Sequence, residues 1–285
     1  MESIKYQTEP KEHLYLAIKI SITIAIDLLI VFFLYDLFTN SDAPVFFQIV
    51  VLLFYLGLVG LYFFFAFGVM VGHIKGNGVR LTPQQLPAVY NVIEKQSMKL
   101  GLRSVPDVYL LQSGGVLNAF ATRFVGSNYI VLYSELVEAA LEEDPQVLEF
   151  IIAHELGHIK CKHMTWRLLT LPGSLIPFLG AAYSRACEYT CDNIGAALAP
   201  KGVRNGLLIL AAGRKLFKEV DARTMMRQNY TRTGFWFWFA EKVASHPHLS
   251  NRLERQKEFT LAPAISAMRK PDEFVTADHS KYMPS

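Results

Sequence analysis

Two histidines four residues apart, with a glutamate directly after the first, occur at His154-Glu155-Leu156-Gly157-His158. On a helix these histidines share a face, so both imidazoles can reach one metal ion, with Glu155 beside them as a base. The preceding run Val147 to Ala153 is strongly apolar, which puts the motif on a helix packed into a core rather than on a solvated face. A catalytic zinc takes three protein ligands and keeps its fourth position for water. Met164 stands where one known spacing would put a third histidine, so the third ligand comes from elsewhere. Cys161, three residues beyond His158, is sterically conceivable, whereas His163 would have to be reached along the same helix. Glu188 is the better candidate, within Ser184-Arg185-Ala186-Cys187-Glu188-Tyr189-Thr190-Cys191-Asp192. On a second helix Glu188 and Asp192 share a face, so one carboxylate can bind metal while the other holds a ligating histidine by its free N–H.

The elements that must position these groups can be read around them. Asp144 and Pro145 look like the N-cap and first residue of the motif helix, which is expected to run to about His163. Before it come a helix over Leu86 to Leu100, strands over Val105 to Gln112, Val116 to Phe124 and Tyr129 to Tyr133, and a helix over Glu135 to Glu142. Ser113-Gly114-Gly115 and Gly126-Ser127-Asn128 are the expected turns. The fold class is therefore mostly α with a small β-sheet.

The chain has 285 residues, 28 Lys and Arg against 25 Asp and Glu, three Cys and 52% hydrophobic residues, and its mean hydropathy is +0.24. Those figures exclude a disordered chain and a disulfide scaffold, and they place part of the chain in lipid. Two stretches account for it. Residues 14–38 are interrupted only by Lys19, Asp27 and Asp36, and residues 45–72 hold no charge at all. Each is long enough to cross a hydrocarbon core of about 30 Å. Lys19 is placed to snorkel, and Asp27 is expected to face a partner helix. No small-x-small cleavage site follows the first stretch, so it reads as a retained anchor. Lys5 and Lys11 precede the spans and Lys75 and Arg80 follow them, while the loop Thr39 to Pro44 has no basic residue. The positive-inside rule then puts the N-terminus and everything beyond residue 72 in the cytoplasm. The expected organisation is a tail over 1–13, spans over 14–38 and 45–72, a catalytic domain over 73–259 and a tail over 260–285.

Beyond the spans basic side chains outnumber acidic ones, but they are scattered and no recognition motif accompanies them, so nucleic acid is not an expected partner. The lipid bilayer is. Cys161, Cys187 and Cys191 form no C-x-x-C pair and suit a reducing compartment. Phe235-Trp236-Phe237-Trp238-Phe239 either dips into the bilayer interface or packs under the motif helix.

The two motifs together, His-Glu-Leu-Gly-His and Ser184-Arg185-x-x-Glu188-Tyr189-x-x-Asp192-x-x-Gly195-Ala196, resemble the membrane gluzincins that include HtpX-like proteases and CAAX prenyl proteases. Asn118-Ala119-Phe120-Ala121 is similar to that family's substrate-binding edge strand, and Ser245-His246-Pro247 with Arg252 to its C-terminal signature. The resemblance covers roughly residues 80 to 258. It implies a zinc-dependent endopeptidase with one Zn2+ per chain, held by His154, His158 and Glu188. In it Glu155 is the general base and Asp192 holds a ligand in place. His246 is the expected donor to the oxyanion, and Asn118 to Ala121 pair with an extended substrate. Polypeptides, misfolded membrane proteins among them, are the implied substrates. A prenyl-peptide protease and a non-catalytic binding protein on the same fold are the alternatives. HtpX-like members carry two further spans between the zinc motifs; here Met164 to Tyr183, with Pro172 and Pro177, is too short and broken to span and is expected to form a loop or interfacial hairpin over the site.

Overall fold

The computed structural model describes residues 4–40, 44–112, 114, 118–143 and 145–260. The expected N-cap Asp144, the start of the second strand at Val116 and the tail beyond Thr260 lie outside the described residues. The chain opens with two long apolar helices, α1 (Pro10–Asn40) and α2 (Val45–Asn77), both long and apolar enough to cross a membrane. A strand, β1 (Val79–Arg80), leads into α3 (Pro87–Lys99). Strands β2 (Asp107–Leu111), β3 (Ala119–Phe124) and β4 (Ser127–Tyr133) follow, then α4 (Ser134–Glu143) and the motif helix α5 (Pro145–Lys160). Next come α6 (His163–Leu169), a 3-10 turn (Pro172–Leu175) and α7 (Leu179–Leu198). The remainder is α8 (Gly202–Leu216), α9 (Ala222–Thr231), α10 (Phe235–Val243), α11 (Leu249–Arg255) and α12 (Lys257–Thr260).

The sheet order is β1-β2-β4-β3, with β2 and β4 parallel and both outer pairs antiparallel. Chain order thus places β3 at the sheet edge, where it returns to β4 through a hairpin. That hairpin turns one residue earlier than its Gly-Ser-Asn sequence suggests. Val125 and Gly126 both take positive φ, and Phe124 pairs directly with Ser127. A two-residue turn of this kind matches the right-handed twist of the flanking strands. On one face of the sheet Val71 and Ile74 of α2 pack against Tyr109, Tyr129 and Val131. On the other face lies the main core, in which Val147, Leu148, Phe150, Ile151, Ile152 and Ala153 of α5 are all buried. At about 1.5–3 kcal/mol for each large apolar side chain removed from water, this stripe is what offsets the cost of burying the polar groups that follow it.

Helix α5 crosses α7 closely because glycines stand at the crossing. A Cβ on Gly195 would lie 2.7 Å from the Phe150 ring, and one on Gly157 would lie 3.1 Å from Cys191 Sγ. The motif helix is shorter than expected. It ends at Lys160, Lys162 takes a left-handed conformation (φ 56°), and His163 begins α6 on a new axis.

The segment before the first span also differs from a free tail. Ile4 and Tyr6 pack on the main core, Glu9 and Glu12 are buried, and Asn193 donates to the Gln7 carbonyl at 2.9 Å. Lys19 does not snorkel; it is buried with its ammonium 4.8 Å from the centre of the Tyr183 ring, a cation–π contact. Asp27 is exposed rather than turned onto α2. Phe235, Trp236 and Trp238 are exposed, and α10 buries no residue, so these aromatics do not pack under α5. Phe178, just before α7, meets the rings of Trp238 and Phe239.

Candidate metal centre

The α5–α7 crossing brings His154, His158 and Glu188 to one point. One ligand-type atom from each lies within 4.8 Å of the others. His154 Nε2 is 3.3 Å from Glu188 Oε2, and His158 Nε2 is 3.4 Å from Glu188 Oε1. These separations suit a metal. Ligand bonds of 2.0–2.2 Å in a tetrahedron set neighbouring donors about 3.4 Å apart. Glu188 is 2% exposed, yet its carboxyl is held well below the usual range, because the two imidazoles outweigh the burial that would raise it. Burial pulls His154 down, but Asp192 and Glu188 more than reverse this and raise it to about 10. A buried carboxylate pair that draws a positive charge onto its histidine is the electrostatic setting in which a divalent cation fits.

Both imidazoles are oriented from behind. His154 Nδ1 lies 2.9 Å from Asp192 Oδ1, which leaves Nε2 facing Glu188. Asp192 is fully buried and takes two hydrogen bonds from Arg252, at 2.8 Å from Nε and 2.6 Å from Nη2. Arg252 belongs to the C-terminal signature, but its sequence context offered no role; the structure pairs it with the group that orients His154. His158 Nδ1 meets His163 Nδ1 at 3.0 Å, a contact made possible by the turn at Lys162. Burial lowers both His158 and His163, which keeps these imidazoles neutral.

Glu155 is 7% exposed and follows His154 on α5. Burial pushes its carboxyl up to about 7, with the Glu188 charge adding to the rise and His154 opposing it. A base poised near neutrality can take and return a proton at physiological pH. His246, on the segment after α10, places Nε2 3.6 Å from Glu188 Oε1, with its side chain largely exposed and Ser245 Oγ 3.0 Å from its Nδ1. Asn118 precedes β3 and is exposed, whereas Ala119, Phe120 and Ala121 are half-buried on the edge strand, which packs along α5. Cys161 is not brought to the centre. It lies beside Tyr6, and burial pushes its thiol up to about 11. Cys187 and Cys191 are buried free thiols.

Met164 to Tyr183 forms α6, the 3-10 turn and the start of α7, docked on α1. Gly173 N–H donates to Thr23 Oγ1 at 3.0 Å, and a Cβ at Gly173 would fall 2.5 Å from the Lys19 carbonyl. Its outer surface exposes Leu168, Leu169, Leu171, Leu175 and Ile176.

A curated relative, the plastoglobule-localized metallopeptidase 48, chloroplastic, of Arabidopsis thaliana, is 30% identical over 156 residues, covering 48% of this chain and 44% of that protein. The chain therefore spans less than half the length of the curated relative it matches. Among solved structures, the crystal structure of S. mikatae Ste24p aligns over 88% of this chain and 67% of that one, with a TM-score of 0.46 and 15% identity. The family model of Peptidase family M48 matches residues 83–176 and 168–260, the stretch that carries strands β2 to β4, both motif helices and the Arg252 segment. The chain belongs to Peptidase family M48, the zinc-dependent metallopeptidases.

Proposed function

We propose that this chain is a membrane-anchored, zinc-dependent endopeptidase acting on polypeptides at the bilayer surface, with damaged membrane proteins among its substrates. The observation that carries the reading is the convergence of His154, His158 and Glu188 on one point, with the raised carboxyl of Glu155 beside it. His154 and His158 through Nε2, and Glu188 through its carboxylate, would hold one zinc. Bound there, zinc supplies a Lewis acid that polarises a carbonyl and makes a water acidic near neutral pH. Glu155 takes the proton from the attacking water and returns it to the leaving amine. His246 reaches over the Glu188 side of the site and donates to the oxyanion. An extended substrate adds to the sheet along Asn118 to Ala121, gaining main-chain hydrogen bonds with little demand on its side chains.

Several features support the membrane location. The two apolar helices, the exposed Leu168, Leu169, Leu175 and Ile176, and the exposed aromatics of α10 give the chain a set of lipid-compatible surfaces. The packing of residues 4–13 against the catalytic domain supports a topology in which both ends of the two-helix anchor lie on one side. The basic residues flanking the spans favour the cytoplasm for that side.

Purified full-length protein in detergent tests the reading by zinc content and casein cleavage beside Glu155→Gln. One zinc per chain in both forms, with cleavage lost in the variant, is the expected result. Absence of zinc from a folded, metal-replete preparation would overturn the ligand set. Cleavage of a prenylated peptide with casein untouched would overturn the substrate class.

A further inference from the structure

We propose that Glu12 and His163 are positioning residues for the metal centre: a buried relay that holds His158 in place and ties it to the first turn of the first apolar helix. The proposal rests on the reading of His158 as a zinc ligand. It starts from an asymmetry between the two histidines. His154 is oriented directly by a carboxylate, Asp192, whereas behind His158 stands another imidazole. His163 is fully buried, its ring 5.0 Å from that of His158 and at 76° to it. Its far nitrogen, Nε2, lies 3.1 Å from Glu12 Oε1. The other Glu12 oxygen accepts the Thr190 hydroxyl, and Thr190 Oγ1 accepts the Glu9 N–H at 2.9 Å. Glu12 and Thr190 are 5% and 0% exposed, so water cannot substitute for any link.

The direction of every hydrogen bond in this chain follows from one condition. If His158 offers the lone pair of Nε2 to a metal, its proton sits on Nδ1 and must be donated to His163 Nδ1. His163 then carries its own proton on Nε2 and donates it to Glu12. Only an acceptor at position 12 closes the sequence, and a carboxylate, with no proton to place, does so in either orientation. A negative charge at the end also makes His158 a stronger donor to a cation, as a carboxylate behind a ligating histidine does. The arrangement leaves His158 with the backing that Asp192 gives His154, displaced by one imidazole.

The same groups could be read as a second metal site, since Glu12, His163 and Cys187, or His158, His163 and Cys191, also cluster. Hydrogen-bonded contacts of 3.0 and 3.1 Å already satisfy both nitrogens of His163, which leaves it no free lone pair for another ion.

The test uses the full chain in detergent and measures zinc affinity by chelator competition, the absorption spectrum of the cobalt-substituted protein, and melting of the metal-free form. Glu12→Ala and His163→Leu should each weaken zinc binding by roughly 10–100-fold and alter the cobalt bands, as loss of an outer partner does at other metal sites. Glu12→Gln keeps an acceptor oxygen without the charge and should recover part of the loss. It also carries the test if Glu12→Ala does not fold. Zinc affinity and cobalt bands unchanged in a folded Glu12 variant, with only the metal-free melting temperature lowered, would overturn the relay in favour of simple packing. Two zinc ions per wild-type chain, one of them lost in Glu12→Ala, would overturn it in favour of a second metal. Wild-type protein that binds no zinc, or Glu188→Gln that binds it normally, would instead overturn the ligand reading on which the relay depends.

Discussion

Gly157 lies inside the motif helix, and its replacement by alanine sets two effects of opposite sign against each other. In an ordinary helix interior the change stabilises by about 0.8–1 kcal/mol. At this position the new Cβ would stand 3.1 Å from Cys191 Sγ and 3.2 Å from Ile194 Cδ1, so α7 or its side chains must give by a few tenths of an ångström. Crowding a well-packed core in this way costs about 1–3 kcal/mol. The Ile194 atom is the end of a flexible side chain and can turn away, but Cys191 is fully buried and its Cα lies only 3.4 Å from the same Cβ. Crowding therefore wins, and the melting temperature of Gly157→Ala should fall, by roughly 2–4 °C per kcal/mol for a domain of this size. Because Glu188 and Cys191 ride on the same stretch of α7, zinc affinity should fall with it. The decisive comparison is made in a Cys191→Ala background. Without the sulfur, the helix-propensity gain should dominate, and the same Gly157→Ala change should raise the melting temperature, a coupling of roughly 1–3 kcal/mol between the two sites. Thermal melts of the four proteins in one detergent give the cycle. If Gly157→Ala alone stabilises the protein, or if its effect is the same with and without the Cys191 sulfur, the argument that this contact sets the α5–α7 spacing is wrong.

Two further outcomes follow from the surroundings of the site. His246→Ala should lower kcat by roughly 10²–10³-fold while leaving KM and zinc content close to wild type, as loss of an oxyanion donor does; kcat within a few-fold of wild type would remove His246 from the chemistry. Arg252→Ala should cost about 3–5 kcal/mol, because it leaves Asp192 charged and buried without its two-pronged partner, and Arg252→Lys should recover only part of that. The Asp192 carboxyl is lowered because Arg252 and His154 outweigh the burial that would raise it. The stability it contributes is thus present above its unfolded pKa of about 4 and is lost as the pH falls through the lower folded value. Denaturant melts of wild type and Arg252→Ala should therefore converge as the pH is taken below about 4; a gap that stays constant into acid would refute the pairing as its source.

What could be read from the sequence and what could not divide along a physical line. Within α5 the positions of His154, Glu155 and His158 are fixed by helical periodicity, and the Glu188 and Asp192 spacing on α7 is equally local. The edge position of β3 had a signal only through family resemblance, since strand order in a sheet depends on contacts between segments rather than on any one segment's pattern. The placement of His163 is beyond local reasoning because it depends on a left-handed residue at Lys162. A lysine carries no strong preference for that conformation, so nothing in the local sequence announces the turn. The role of Arg252 has no local signal, because its partner lies sixty positions away. Glu12 gave no signal, for it is an acidic residue in the first turn of a helix, where such residues are common on grounds of the helix dipole alone.

That last case bears on how the first apolar helix and the catalytic domain are joined. A flexible tether would leave the charges ahead of the first span solvated and interchangeable. Here Glu9 meets Arg255 at 3.3 Å, Glu12 meets His163 and Thr190, and Lys19 lies on Tyr183, so one side of α1 is bonded in turn to α11, α6 and α7. Each contact joins α1, or the residues just before it, to a helix of the centre or to one packed against it. A displacement of α1 by even an ångström would break the hydrogen bonds among Glu12, His163 and Thr190, all buried, at about 1–3 kcal/mol for each group left unpaired. The first apolar helix is therefore a structural wall of the candidate metal centre, and the geometry of the site is tied to the seating of that helix against α6, α7 and α11.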